Sequence, residues 1–220
     1  TNWPVDKDAF KGVPPEGIDN AVLTDHFEAR LVYKVWAGNM VHCMSSYVGK
    51  QRGYEYYYQS GSDPYIYKCS ALAKLEANHG ICSEFNISVD VLDDRKKGKI
   101  APFDPKAAEG DMDTLNRIGT DPKRKLSRGD RFIGPALLCL KHGKTPYFLT
   151  RGAAMGFYFV NPEDASACEI QDYIKSFGIE KAVAKYCQLN LSDPLDKQIY
   201  ELVLMHYYEI GDAFPEEITE

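Results

Sequence analysis

From Thr24 onward apolar residues recur on a helical period, with Phe27, Leu31 and Val35 followed by Met40, Met44 and Tyr47 on a drifting stripe. Thr24 can cap this segment, Asp25 and Glu28 put negative charge in its first turn, and Gly49 marks its end. The pattern therefore predicts one long first helix. Asp63-Pro64 supplies an N-cap and a first-turn proline for a second helix running to Glu76 or beyond, with Ile66, Cys69, Ala73 and Leu75 as core contacts. Further on, Ser127 caps a helix reaching Lys141, Asn161-Pro162-Glu163-Asp164 starts one that stops at Gly178, and Asp193-Pro194 starts one that stops at Gly211. The opening, Thr1 to Val22, is rich in proline and glycine around Trp3 and Phe10 and predicts an extended or looping lead-in that packs its aromatics onto the rest. Asp90 to Gly110, charged and broken by Gly and Pro, reads as a surface excursion. Strand signals are sparse and no repeat is visible, so the expected fold class is mainly α, a single helical domain of seven or eight helices over residues 1–220.

Composition narrows the function classes. With 44 % apolar and 26 % charged residues the chain is of ordinary soluble type, and its longest uncharged apolar runs, Phe132 to Leu140 and Gly152 to Val160, are too short to span a membrane. No basic-then-apolar leader opens it, which predicts a cytoplasmic location, and the start at Thr1 rather than methionine points to a fragment. A net charge of −6 argues against nucleic acid as a partner but leaves room for a small anion wherever basic residues cluster. Cys43, Cys69, Cys82, Cys139, Cys168 and Cys187 are widely spaced with no C-x-x-C pair, which predicts reduced thiols and no metal site.

Two clusters carry candidate chemistry. The first helix contains Lys34, Asn39 and His42 in the pattern K-x-x-x-x-N-x-x-H. At ~100° per residue Lys34 and His42 lie roughly 80° apart with about 12 Å of rise between them, and Asn39 lies about 60° from His42. Gly38 in the middle permits a kink or the close approach of a ligand. A base, an amide and an imidazole along one wall suit a secondary alcohol that loses its O–H proton as hydride leaves its carbon. Spacing alone favours an ordinary helix surface with an exposed lysine, a polar asparagine and a half-buried histidine. The second cluster is Arg117 followed by Lys123, Arg124, Lys125, Arg128 and Arg131, with a helix start at Ser127 where backbone N–H groups favour a phosphate. Its alternative is a solvated basic turn with a structural Asp130–Arg131 pair. His79, ahead of Gly80, reads as a cationic helix cap, and Tyr54, Tyr56, Tyr57 and Tyr58 read as packing rather than as a sugar-stacking platform.

Taken together, W-x-V-D-K-x-x-F-K-G at Trp3 to Gly12, K-x-x-x-x-N-x-x-H at Lys34 to His42 and R-x-G-x-x-x-x-R-K-L-S-x-G-D-R at Arg117 to Arg131 resemble, in order and spacing, the C-terminal domain of the sugar-phosphate members of the long-chain polyol dehydrogenases, the mannitol-1-phosphate 5-dehydrogenase type. The resemblance covers most of the chain and is strongest over Thr1 to Gly49 and Leu115 to Pro135. It implies a helical domain like that of 6-phosphogluconate dehydrogenase, zinc-independent chemistry, and NAD held by an N-terminal Rossmann domain. It further implies Lys34 as general base and Asn39 and His42 as holders of the reacting oxygen. Arg117 and Lys125 would line the substrate pocket, and Arg124 and Arg131 would take the phosphate. The implied reaction interconverts mannitol 1-phosphate and fructose 6-phosphate. Lys123 and Arg128 match no part of the pattern, and nothing transfers to Gly80 to Gly110. No G-x-G-x-x-G is present, so the isolated chain is expected to be inactive. Rival readings are a dehydrogenase for an unphosphorylated polyol or a hexuronate, of the mannitol 2-dehydrogenase or tagaturonate/fructuronate reductase type, and a non-catalytic helical interaction module.

Overall fold

The computed structural model describes residues 3–9, 21–92 and 101–213. The chain is mainly α, as the pattern predicts, but its lead-in is more ordered than a loop. Strand β1 (Trp3–Asp6) pairs in parallel with β2 (Ala21–Thr24), Trp3 opposite Ala21 and Asp6 opposite Thr24. Four residues per strand are too few to show a two-residue period, which is why the sequence gives no sign of them. Phe10, Lys11 and Gly12, the packing of the Trp3 ring, and positions 93–100 of the excursion lie outside the described residues and side chains.

The single first helix is corrected to three pieces: α1 (Phe27–Tyr33), a π-helical segment (Lys34–Asn39) and α2 (Met40–Gln51). Thr24 ends β2 instead of capping the helix, whose N-cap position is His26. Eight of the twelve residues of α2 are buried, including Ser45 and Ser46. A helix buried nearly all round must satisfy its polar groups internally, and the Ser46 hydroxyl does so by donating to the Leu115 carbonyl at 2.6 Å. The Tyr47 hydroxyl donates to the Gly119 carbonyl at 3.4 Å. Both bonds fasten α6 (Leu115–Gly119) to α2.

Between them lie α3 (Tyr57–Gly61), the long α4 (Pro64–Phe85) and α5 (Val89–Leu92). Asp63 caps α4 as expected, accepting the backbone N–H groups of Tyr65 and Ile66 at 2.8 and 3.1 Å. The helix continues past Glu76 to Phe85, where Asn86 turns left-handed at φ 51°. His79 and Gly80 are therefore interior positions, not a helix end. A Cβ on Gly80 would sit 2.8 Å from the Cys139 backbone nitrogen, so this glycine serves the close crossing of α4 with α8 (Ile133–Lys141). The His79 imidazole meets the His142 carbonyl at 3.1 Å instead of capping.

After α6 come the four-residue α7 (Pro122–Lys125), then α8, α9 (Tyr147–Phe157), α10 (Ala165–Phe177), α11 (Ile179–Tyr186) and α12 (Pro194–Ala213). Twelve α-helical segments among the described residues exceed the seven or eight expected, because several are a single turn. The helix predicted from Ser127 begins only at Ile133. Residues 126–132 are a turn, and the Ser127 hydroxyl bonds back to the Arg124 carbonyl at 2.7 Å, so it caps nothing downstream. One continuous core joins α2, α4, α8, α9, α10, α11 and α12.

Candidate functional site

The two clusters singled out in the sequence meet at one cleft of ≈ 420 Å³. That size falls within the roughly 300–1,000 Å³ of small-molecule sites. Asn39, His42 and Cys43 come from the end of the π segment and from α2, and Tyr57 from α3. Asp111 and Asp113 come from the loop before α6, Arg117 and Ile118 from α6, Arg124 and Lys125 from α7, and Arg131 from the turn after it. Six of the seven sequence-selected residues thus line one space. Lys34 does not line it and is exposed at the start of the π segment.

The π segment changes the angular argument for Lys34. Its i→i+5 bonding spreads each turn over more residues than an α-helix does, so each residue advances the chain by a smaller angle. An α-helix overshoots two full turns by roughly 80° between Lys34 and His42. The smaller step reduces that overshoot and brings Lys34 toward the face of His42. Within the segment, a Cβ on Gly38 would meet nothing within 4 Å, so the backbone faces open space there. The Trp36 indole N–H donates to the Gly129 carbonyl at 3.2 Å, tying the segment to the basic turn across 93 residues.

The basic residues are held, not loose. Arg117 makes a two-pronged ion pair with Asp113, and that contact holds the Asp113 carboxyl below its ordinary value. Arg124 reaches Asp121 at 2.7 Å and Asp130 at 2.9 Å. Arg131 reaches the other oxygen of Asp130 at 2.7 Å. Lys125 is 5 % exposed, and its ammonium donates to the Ile118 carbonyl at 2.5 Å. Burial above all, with Arg131 and Arg124 adding to it, pushes the Lys125 pKa down. Among the cleft cations, then, only Lys125 lacks a carboxylate partner among the described residues. The helix N-terminus expected at Ser127 is absent here, so an anion in this cleft would meet side chains and not a helix dipole. Arg128 points away, pairing with the buried Asp196 at the start of α12.

Sequence reasoning missed Cys43, Asp111 and Asp113 as cleft residues, and it read Tyr57 as packing where the structure puts it in the cleft wall. The i,i+4 spacing of Asp113 and Arg117 could have pointed to that pair. For Tyr57 nothing local could, because it reaches the cleft through tertiary pairing: its N–H donates to the Asp113 carbonyl at 2.8 Å and the Leu115 N–H to the Glu55 carbonyl at 2.8 Å. Among the described residues no group of three or more His, Cys, Asp or Glu could hold a metal, and no helix is long and apolar enough to cross a membrane.

A mannitol-1-phosphate 5-dehydrogenase of Thermoanaerobacter pseudethanolicus is 34 % identical over 212 residues, covering 96 % of this chain and 52 % of the relative. One from Caldanaerobacter subterraneus subsp. tengcongensis is 30 % identical over 205 residues, with 91 % and 52 % covered. The chain is similar to the C-terminal half of mannitol-1-phosphate 5-dehydrogenases. A Buchnera aphidicola protein of that name is 28 % identical over 203 residues, covering 92 % of this chain and 51 % of its own length. The chain spans about half the length of these dehydrogenases. No family model matches it.

Proposed function

We propose that this chain is the substrate-binding half of an NAD-dependent dehydrogenase that interconverts mannitol 1-phosphate and fructose 6-phosphate, the cofactor being held by an N-terminal Rossmann domain of the same enzyme. The observation that carries this reading is the gathering of Asn39, His42, Arg117, Arg124, Lys125 and Arg131 around one cleft, from stretches far apart in a chain whose relatives bear that enzyme's name. When bound, the nicotinamide supplies the acceptor for the hydride that leaves the carbinol carbon. In the same direction Lys34 takes the hydroxyl proton, the C–O single bond becomes a carbonyl, and Asn39 and His42 hold the oxygen. A lysine serves as base only where burial or neighbouring cations disfavour its ammonium form. Lys34 is exposed in this half, so in this reading its cover comes from the other half closing over the cleft.

A second reading is favoured by the ion pairs. Three of the four cleft cations already face carboxylates, a balance that also suits an uncharged, unphosphorylated polyol. Arg131→Ala in the full-length enzyme separates the two. If Arg131 grips phosphate, KM for fructose 6-phosphate rises roughly ten- to hundredfold more than KM for fructose, the scale of a charge-assisted contact worth about 1.5–3 kcal/mol. Equal losses for both sugars would assign Arg131 to the Asp130 pair alone and favour the second reading.

A further inference from the structure

An imidazole that is to hold a reacting oxygen must present one nitrogen in a fixed direction. In most sites the other nitrogen achieves this by bonding to a carboxylate or a carbonyl. The His42 imidazole makes no side-chain hydrogen bond to another described residue, and the Asp113 carboxylate lies near enough to interact with it electrostatically but does not bond to it. The one ring neighbour of His42 is Tyr57, with centroids 5.2 Å apart and planes tilted by 41°. Tyr57 is itself fixed through its backbone N–H, which donates to the Asp113 carbonyl at 2.8 Å, and its half-buried ring lies beside α2. The ring is thus held between the loop carrying Asp113 and the helix carrying His42, and it forms part of the cleft wall.

We propose that Tyr57 is a positioning residue for His42: its ring, not its hydroxyl, limits rotation of the imidazole and keeps one nitrogen aimed into the cleft. The proposal rests on the dehydrogenase reading for its consequence in catalysis, but not for its geometry. Aromatic rings in contact prefer offset or tilted arrangements, so this contact favours one orientation of the imidazole over the others. The neighbouring stack of Tyr56 on Tyr58, centroids 6.1 Å apart, lies outside the cleft lining and serves packing.

Two variants and two readouts test this. In the 220-residue chain, the His42 ring protons should carry a ring-current displacement in the NMR spectrum. Tyr57→Phe keeps that displacement and Tyr57→Leu abolishes it. In the full-length enzyme, Tyr57→Leu lowers kcat about tenfold with KM for the sugar changed less than about twofold, the pattern of lost orientation, whereas Tyr57→Phe recovers most of kcat. Equal damage from Phe and Leu would overturn the proposal in favour of a working hydroxyl, and wild-type kcat in a folded Tyr57→Leu enzyme would overturn it outright. Should Tyr57→Leu not fold, a Phe variant with strongly reduced kcat still refutes the ring role. A wild-type enzyme without dehydrogenase activity would sink the functional reading, and the NMR comparison would still judge the His42–Tyr57 geometry.

Discussion

Asp130 accepts from two arginines at once, one on each oxygen, and at 8 % exposure it has little water to replace either. Removing Arg131 leaves one Asp130 oxygen without its partner where little water can replace it, while Arg124 still holds the other, so Arg131 has a structural role whatever else it binds. Substrate effects at this position must therefore be read as differences between two sugars and not as raw losses. Lys34 is the opposite case, exposed and outside the cleft lining. In the proposed role of general base it would carry a catalytic effect but little structural weight. Lys34→Ala in the full-length enzyme should lower kcat for mannitol 1-phosphate oxidation at least ~100-fold, with a smaller change in KM. Near-normal kcat in that variant would leave the K-x-x-x-x-N-x-x-H pattern without a base. At this scale the sequence made the polar members of the cleft legible, since Asn39, His42, Arg117, Arg124, Lys125 and Arg131 stand in two short stretches. It hid Tyr57 as the neighbour of His42, because side-chain pairing across the fold leaves no local pattern, whereas Asp113 stood four residues before Arg117 within reach of a local rule.

Helix termini show how far local rules reach. The start of α4 is written in Asp63-Pro64, but the start of α9 has no local cap. Its N-cap position is Pro146, and the first turn is satisfied from the side by Glu76 of α4, which accepts from Phe148 at 3.0 Å and from Leu149 at 2.9 Å. Burial raises the Glu76 pKa from 4.5 to about 7, against the pull of those backbone bonds. Since the folded value is the higher, the folded state holds the proton where the unfolded chain has released it. The contribution to stability is fully present below pH 4.5 and is lost as pH rises to about 7. Denaturant melts of the wild type and Glu76→Gln should therefore diverge across that window, the variant gaining relative stability on the order of 3 kcal/mol as pH rises. Parallel curves would mean the Glu76 carboxylate is ionised throughout. The π segment is a second case: Gly38 marks it in sequence, yet a hydrophobic stripe on an α period reads straight through it.

For the whole molecule, catalysis needs hydride donor and acceptor carbons at near-contact distance, and this sequence holds no glycine-rich βα turn to grip a dinucleotide. The purified 220-residue chain should not oxidise NADH with fructose 6-phosphate, while the full-length enzyme should. Steady turnover by the chain alone would remove the two-half reading. The sequence by itself determined the helical class, the capped starts of α4 and α12, and which polar residues could share a site, because period, capping and charge are properties of neighbours along the chain. Folding alone brings those residues to one cleft, keeps Ser127 from starting a helix and leaves Lys34 outside the cleft. Each depends on contacts such as Trp36 with Gly129 and Arg128 with Asp196, made between residues 93 and 68 positions apart. Folding fixes such contacts by burying surface and satisfying polar groups across the core, and no local pattern records that.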